Sequence, residues 1–306
     1  MTDRDDVIAW LLDGDPAIRW QVMRDLMDAS DEAVADERGR IASEGWGAEL
    51  LALQTPEGHW NDDTQHGWMP TTDALHLLMT LGADPRDTRI MRAVGLVKER
   101  IRWFQLDGQP FFDGETEACI NGRILASGAY FGADVERLLA RLLSEQLEDG
   151  GWNCEAPPST RSSFHSTICV LEGLLAYEDA RGATPAVTEA RARGHAYLLE
   201  RRLMRSLTSG NVIDRGWTQF SFPVVWYYDV LRGLDYLRSA GIEADDHVAE
   251  AATIVSQRQL SDGRWPLDTL RRDQERIPVR LETEIGAPSR WTTLRALRVL
   301  EWFEVG

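Results

Sequence analysis

One short motif constrains the fold of this chain more than any other feature of the sequence. It consists of Gln, then Gly four residues later and Trp two residues after that, and it occurs at residues 54–60, 146–152 and 259–265. Each copy follows a stretch with the apolar spacing of a helix, and a glycine just past a helix end takes the left-handed conformation without a Cβ clash. Looser copies begin at Gln105 and Ser206. A turn that recurs at such intervals predicts an array of helical pairs.

Between the turns, two kinds of helical segment alternate along the sequence. One kind is charged and amphipathic, and it covers residues 5–12, 32–53, 86–104, 135–146, 186–203 and 245–257. The other kind is more apolar and richer in small residues, and it covers residues 17–27, 72–81, 118–131, 164–177, 224–237 and 291–303. A closed double ring needs this alternation, because only the outer helices keep one wet face. We therefore predict an all-α (α/α)6 toroid of six inner and six outer helices, with residues 1–306 forming a single domain.

The charge and the cysteine content narrow the possible functions. The chain carries 33 Lys and Arg against 50 Asp and Glu, which gives a formal net charge of −17. Such a surface repels phosphate backbones and anionic lipid, which argues against nucleic acid and against electrostatic docking to membranes. No apolar run reaches the ~18 residues that a transmembrane helix needs, and the acidic first residues do not resemble a signal peptide. With three cysteines, no disulfide framework is expected, and we predict a cytoplasmic protein.

The Gln-x3-Gly-x-Trp motif resembles the QW repeat of squalene and oxidosqualene cyclases, and also the looser repeat of protein prenyltransferase β subunits. The resemblance extends over nearly the whole chain. It implies the toroidal fold of those enzymes and a function in handling isoprenoid or terpenoid substrates. In that family the Gln and the Trp tie neighbouring repeats together, so the repeat itself has a structural role and does not define the chemistry.

The acidic motifs of standard terpene cyclases have no good counterpart in this sequence. Squalene-type cyclases protonate their substrate with an Asp-x-Asp-Asp motif. The one literal match spans residues 3–6 and comes at the start of the first predicted helix, where acidic residues suit the helix dipole. The magnesium-binding Asp-Asp-x-x-Asp motif does not occur in the sequence. Both classes of standard terpene cyclase are therefore disfavoured.

The prenyltransferase resemblance suggests a metal site. The β subunits of those enzymes bind zinc through an Asp-x-Cys pair at the start of one inner helix and a His near the start of the next. In this chain Glu117-Ala-Cys119 opens a predicted inner helix, His165 lies near the start of the following one, and Cys154 lies between them. The resemblance thus implies zinc ligands Glu117, Cys119, Cys154 and His165, with Glu in place of the family's Asp. On the alternative interpretation the cysteines are inert packing residues and His165 only caps its helix.

The first turns of the predicted inner helices face the central cavity of such a toroid and supply the other candidates. Asp73, Asp229 and His165 are the candidates for acid–base catalysis, provided that burial raises the pKa of a carboxyl group. Arg290 is expected to meet a diphosphate or a carboxylate. The side chains expected to bind an apolar substrate are aromatic: Trp68, Phe164, Phe222, Trp226, Tyr227 and Trp291. The alternative for each of these residues is a role in helix packing or on the surface.

The sequence is compatible with three functions. The first is an isoprenoid- or terpenoid-handling enzyme with Zn²⁺ as a cofactor that binds a thiolate or activates water. The second is a non-catalytic toroid that binds an apolar ligand or a partner protein. The third is an unrelated (α/α)6 enzyme that acts on glycans with paired carboxylates, which the repeat spacing disfavours. A partner subunit like that of the prenyltransferases is compatible with the acidic surface, but no residue pattern indicates one.

Overall fold

The computed structural model describes residues 4–60, 69–271, 274, 277 and 279–305, and helices dominate this part of the chain. The inner layer consists of α2 (Pro16–Leu26), α5 (Met69–Leu81), α7 (Ala118–Tyr130), α9 (Phe164–Arg181), α11 (Val230–Ser239) and α13 (Arg290–Val305). The outer layer consists of α1 (Arg4–Leu12), α3 (Asp31–Gly39), α4 (Gly45–Ala52), α6 (Thr88–Arg100), α8 (Glu136–Ser144), α10 (Pro185–Glu200) and α12 (Ala249–Gln257). The short strands β1 (Arg102–Trp103) and β2 (Gln109–Pro110) pair antiparallel between α6 and α7.

The inner helices close into a ring. From α5 to α11, each inner helix contacts the next inner helix along the chain, and the last one, α13, contacts α2. Trp20 of α2 bridges the remaining junction, since its Nε1 donates to the Leu81 carbonyl at the end of α5 at 2.9 Å. Arg298 Nη1 also donates to Gln21 Oε1 at 3.1 Å and so ties the last inner helix to the first. The closed ring confirms the predicted all-α toroid with six inner and six outer positions.

Both helix layers contribute to the hydrophobic core. Its buried apolar side chains form a cluster that extends from Ile8 in α1 to Val299 in α13. The inner helices are buried on most sides, which explains their apolar composition. None of the described helices combines the length and the apolar character that crossing a bilayer requires.

Among the predicted helices, the outer helix at 86–104 ends at Arg100 and the one at 245–257 begins at Ala249, and two others depart further from their predicted bounds. The predicted outer helix at 32–53 is broken into α3 and α4, because Gly45 takes a left-handed φ of +63°. The break allows Asp15 Oδ2 to accept a hydrogen bond from the Trp46 N–H at 2.7 Å. The predicted inner helix at 224–237 begins only at Val230, since Asp229 caps it and residues 224–229 form a loop. Tertiary contacts, rather than local propensity, set both boundaries.

The complete copies of the motif form one recurring turn. In each copy the Trp indole donates to a carbonyl of the preceding outer helix, and the Trp backbone N–H donates to a Thr hydroxyl of the following inner helix. In the middle copy, Trp152 Nε1 lies 2.7 Å from Leu142 O and Trp152 N lies 3.0 Å from Thr167 Oγ1. Gln146 Nε2 reaches the carbonyl of Ala190 in α10 at 2.8 Å. These bonds tie an outer helix, an inner helix and the next outer helix together.

The turn before α7 departs from this plan. Gln105 is exposed, and the turn closes instead on Gly114, whose carbonyl accepts a hydrogen bond from the Gln109 side chain. Asn121 takes the place of the helix threonine: its Oδ1 accepts from Glu115 N at 2.7 Å and its Nδ2 donates to Glu115 O at 2.8 Å. The looser copy predicted to begin at Gln105 is therefore misplaced, and the equivalent turn lies at residues 109–115.

Helices α7 and α9 approach each other more closely than a side chain between them would permit. A Cβ on Gly122 would overlap the carbonyl of Cys169, and a Cβ on Gly173 would overlap the carbonyl of Gly122. Both positions therefore require glycine. The close approach brings the N-terminal turns of α7 and α9 side by side, and these turns carry Cys119 and His165.

Candidate active-site cavity

A cavity of about 390 Å³ lies between the N-terminal halves of α5, α7 and α9. Its size is within the range typical of small-molecule sites. Its lining residues are Met69, Thr72, Asp73, His76, Trp103, Phe111, Glu117, Cys119, Ile120, Arg123, Ile124, Ser127, Asn153, Cys154, Glu155, Ser163, His165, Ser166 and Trp226. The proposed zinc ligands and two further candidates, Asp73 and Trp226, are thus found around one space.

Glu117, Cys119 and Cys154 come together on the wall of this cavity, and we call them the Glu–Cys–Cys group. One carboxylate oxygen and the two sulfur atoms all lie within 4.8 Å of one another. Cys119 Sγ lies 3.8 Å from Glu117 Oε2, and the Cys119 backbone N–H donates to Cys154 Sγ at 3.3 Å. Glu117 occupies the N-cap position of α7, but its side chain makes no capping hydrogen bond. The carboxylate is exposed and is not used to cap the helix.

The surroundings of Cys154 favour its thiolate form. Ser166, in the first turn of α9, lies with its Oγ 3.2 Å from Cys154 Sγ and also accepts from Cys154 N at 3.2 Å. Hydrogen bonds from the Cys119 thiol and from Ser166 lower the pKa of Cys154 to about 7, although burial acts in the opposite direction. The same hydrogen bond with Cys154, together with burial, raises the pKa of Cys119. The pair therefore releases one proton near neutral pH, and a thiolate is the form that binds metals and attacks electrophiles.

His165 lines the same cavity but does not belong to the Glu–Cys–Cys group. Its Nδ1 accepts a hydrogen bond from the Tyr228 N–H at 2.8 Å, which leaves the proton of the neutral ring on Nε2. The rings of Trp226 and Tyr227 flank it at centroid distances of 5.0 and 4.9 Å. Burial, reinforced by the charge of Arg232, lowers the pKa of His165 to about 4. His165 therefore presents a neutral imidazole with a single available donor.

Asp73 is paired with an arginine that the sequence reasoning missed. Its Oδ1 lies 2.9 Å from Nη2 of Arg123, and the two side chains are 3% and 15% exposed. Arg123 is the one charged residue in the sequence of α7 and lies four residues after Cys119, hence on the same helix face. That pattern is the signal by which it could have been found. The structure thus supplies Asp73 with a partner, and its role as an acid stays a prediction.

The predicted aromatic residues divide between the cavity and the core. Trp226 lines the cavity and is 36% exposed. Tyr227 is half-buried, and the guanidinium of Arg271 lies 3.9 Å from the centroid of its ring. Phe164 does not face the cavity, because it is buried in a cluster with three other aromatic rings. Trp68 lies outside the described residues.

Four further candidates lie away from this cavity. Phe222 and Trp291 stack with their ring centroids 4.0 Å apart and line a second cavity. Arg290 points toward α1, where its Nε donates to the carbonyl of Trp10 at 3.3 Å. Asp229 caps α11, and burial raises its pKa, but it lines neither of the two cavities. Successive residues of a helix point about 100° apart, so only some first-turn side chains face the ring axis.

Three chains among the solved structures match this protein, and they include a protein from Actinoplanes and a terpene cyclase. No family profile matches the sequence, and no curated protein matches it. Among solved structures, a protein from Actinoplanes is 18% identical, covers 99% of this chain and 100% of that chain, and has a TM-score of 0.48. A type II terpene cyclase from Scytonema, in complex with its product merosterolic acid A, is 16% identical, covers 97% of this chain and 96% of that chain, and has a TM-score of 0.44. At these scores the neighbours do not bear on the assignment of a function.

Proposed function

We propose that this protein is a zinc-dependent enzyme that acts on an isoprenoid or similar apolar chain in the cavity between α5, α7 and α9. The observation that carries the proposal is the Glu–Cys–Cys group, in which two thiols and a carboxylate meet within 4.8 Å on the cavity wall. Its members come from two separate segments, the start of α7 and the loop that precedes α9. The Glu117 carboxylate is exposed and makes no capping bond, so an ion can reach it.

The donor set fits zinc. Zinc binds Cys sulfur at ~2.3 Å and carboxylate oxygen at ~2.0–2.2 Å, so the ligand atoms of one tetrahedral ion lie roughly 3.4–3.8 Å apart. Cys119 Sγ and Glu117 Oε2 are already 3.8 Å apart. Three protein ligands leave a fourth position for water or substrate, as in catalytic zinc sites. When bound, the ion supplies Lewis acidity and lowers the pKa of a coordinated water or thiol.

The chain's own residues provide the remaining functions that such a site needs. Ser166 holds Cys154 in place through the two contacts of its hydroxyl, at 3.2 Å each. His165 is available as a hydrogen-bond donor through Nε2, and its pKa of about 4 makes it a weak base at neutral pH. Ile120 and Ile124 line the cavity together with Trp103, and they give an apolar chain a matching surface.

The arrangement favours this function over the two alternatives. A glycan-active enzyme needs two carboxyl groups placed on either side of the scissile bond. Of the acidic residues of the described cavity wall, Asp73 is engaged by Arg123 at 2.9 Å and Glu117 lies with the two thiols, which leaves Glu155. A toroid that serves only as a scaffold has no need of an open cavity with two thiols and a carboxylate in its wall. The metal content separates an enzyme of the proposed kind from a binding protein without metal.

Metal analysis of the purified full-length protein tests the proposal. Protein produced with zinc in the medium should contain about one equivalent of zinc per chain. Cys119→Ser and Cys154→Ser should each lose most of it. Cys169→Ser is the matched control, because Cys169 is a buried free cysteine outside the Glu–Cys–Cys group and should leave the zinc content unchanged. A wild-type protein free of zinc under these conditions would refute the proposal.

A second measurement addresses the substrate class. A prenyl alcohol such as farnesol should bind saturably to the zinc-loaded protein. Ile120→Trp places a larger side chain in the cavity wall and should weaken this binding by about tenfold or more, while zinc is retained. Binding that does not saturate, or that is equal in the variant, would argue against an apolar chain in this cavity.

A further inference from the structure

A second cavity of about 260 Å³ lies on the axis of the ring, and all six inner helices contribute to its wall. His76 and Arg123 line both cavities and therefore stand between them. The wall of the axial cavity is rich in arginine, although the chain as a whole has a net charge of −17. Its arginines are Arg123, Arg232, Arg295 and Arg298.

Several N–H donors in this wall have no acceptor within the described part of the chain. They are Nη1 of Arg295, Nε1 of Trp291 and Nε of Arg123, all of them buried. Arg295 is 4% exposed and Trp291 is 2% exposed. Trp291 and Arg295 are four residues apart on α13, so they share one helix face. A buried donor without an acceptor is costly, so a ligand that brings an acceptor to these groups stabilises them.

Two of the carboxylates of the wall, Asp235 and Glu172, accept hydrogen bonds from arginines of the same wall. Asp235 Oδ2 accepts from Arg298 Nη2 at 2.6 Å and from Arg295 Nε at 3.3 Å. Glu172 Oε2 accepts from Arg232 Nη2 at 2.6 Å. These bonds fix the guanidinium of Arg295 while its Nη1 stays unpaired, so the donor is held in place before any ligand arrives.

The Trp291 ring is stacked on Phe222 with an interplanar angle of 13°, which orients its indole N–H. Asp179 is the third carboxylate of the wall; it is exposed, and partial desolvation raises its pKa. Leu175 and Ala176 add an apolar patch.

We propose that the axial cavity binds a small oxyanion, either free phosphate or the carboxylate group of a small organic acid. Guanidinium and indole N–H groups are donors only, so a ligand that only accepts hydrogen bonds matches the unpaired donors of Arg295 and Trp291, which share one face of α13. The site is distinct from the Glu–Cys–Cys group and does not depend on the function proposed for that group. Arg123 lines both cavities and pairs with Asp73 in the first one. An anion in the axial cavity therefore lies beside a residue that also belongs to the wall of the first cavity.

Titration of the full-length protein with inorganic phosphate and, separately, with benzoate at constant ionic strength tests this site. One or both anions should bind saturably at one site per chain. Trp291→Phe keeps a ring that can stack on Phe222 but removes the indole N–H, and it should weaken binding by about tenfold. Trp217→Phe is the matched control, because Trp217 Nε1 is also buried and unpaired while the residue lines neither cavity. It should leave the affinity unchanged.

The outcomes separate the sources of the anion. Binding of phosphate alone identifies a phosphate site, binding of benzoate alone identifies an organic-acid site, and binding of both identifies a site that recognises the oxyanion only. Arg295→Lys retains a charge beside Asp235 but removes the guanidinium donors, and it should also weaken binding. Absence of saturable binding by either anion, or equal affinity in wild type and Trp291→Phe, overturns the proposal. If Arg295→Lys does not fold, the pair of tryptophan variants decides alone.

Discussion

The turn before α9 and the turn before α7 connect the same kinds of helix in the same ring, but they are built differently. The turn before α9 is complete, with a fully buried Trp152 that hydrogen-bonds both flanking helices. The turn before α7 has no tryptophan, and Asn121 holds the backbone of Glu115 from both sides instead. Two members of the Glu–Cys–Cys group, Glu117 and Cys119, follow this second turn, whereas Cys154 alone follows the turn before α9.

The difference suggests a division of roles within the repeat. Complete turns fix the position of the helices, and their Gln and Trp side chains are engaged in the hydrogen bonds that do so. The irregular turn departs from the repeat pattern, and such departures are expected at functional sites. Cys154, which comes directly after a complete turn, reaches the irregular one because α7 and α9 pack so closely. The following predictions test this division, in order of decreasing effect.

The largest effect should come from the tryptophan of a complete turn. Trp152→Ala removes a fully buried ring and leaves the Leu142 carbonyl without its donor, so it should lower the free energy of unfolding by about 3–5 kcal/mol. Urea denaturation of the metal-free protein measures this change. Trp226→Ala is the control, because Trp226 is 36% exposed and should cost no more than about 1 kcal/mol. An equal loss of unfolding free energy in the two variants would contradict the structural role assigned to the complete turn.

Asn121→Ala should both destabilise the protein and disturb the metal site. It removes two buried hydrogen bonds to Glu115, at 2.7 and 2.8 Å, which should cost about 2–3 kcal/mol. Because Glu115 and Glu117 belong to the same turn, zinc affinity should fall as well. Thr71→Val removes the corresponding hydroxyl contact in the complete turn before α5, at 3.0 Å from Trp60 N. This control should lose stability but keep its zinc, and zinc loss in both variants would contradict the division of roles.

The pH dependence of stability should reveal His165. Burial lowers the pKa of His165 from 6.5 to about 4 in the folded protein, so between these values the unfolded chain binds a proton that the folded chain does not. Stability should therefore fall as the pH is lowered from 6.5 to 4, with His165 contributing on the order of 2 kcal/mol. His165→Asn keeps an acceptor for the Tyr228 N–H but cannot titrate. Its unfolding free energy should change less between pH 7 and pH 4.5, and an unchanged slope would show that His165 is not the group responsible.

A comparison of two glutamines tests where the repeat is interrupted. Gln146→Ala loses hydrogen bonds to the carbonyls of Gly150 and Ala190, at 2.7 and 2.8 Å, and should cost about 1–2 kcal/mol. Gln105→Ala changes an exposed side chain and should stay within about 0.5 kcal/mol. Thermal or urea denaturation distinguishes the two. A similar loss of unfolding free energy at both positions would show that Gln105 belongs to the repeat after all.

The ring could be predicted from the sequence because its determinants are local and repeated. Gln, Gly and Trp at fixed spacing define the turn, and the alternation of amphipathic and apolar segments separates the two layers. Where the boundaries differ, the cause is a contact with a distant residue. Asp15 caps the start of α4 through Trp46 N, and the loop before α11 leaves Tyr228 N free to bond His165.

The candidate site was only partly accessible to the same reasoning. The spacing of Glu117 and Cys119, together with the family resemblance, led to residues that do lie together with Cys154. The sequence does not fix the rotation of a helix about its axis, so Phe164 and His165 were indistinguishable as cavity residues, although only His165 lines the cavity. Arg123 stands out as the one charged residue of α7, but the sequence does not indicate that its partner is Asp73 on another helix.

Cobalt substitution of the full-length protein tests the central claim most directly, namely that the irregular turn and the loop after Trp152 together form a metal site with two thiolate ligands. The Co²⁺ protein should show intense thiolate-to-cobalt charge-transfer absorption. The intensity should fall by about half in Cys119→Ser and in Cys154→Ser, and it should be unchanged in Cys169→Ser. A cobalt protein without thiolate charge transfer, or an equal loss of absorption in Cys169→Ser, would contradict the account.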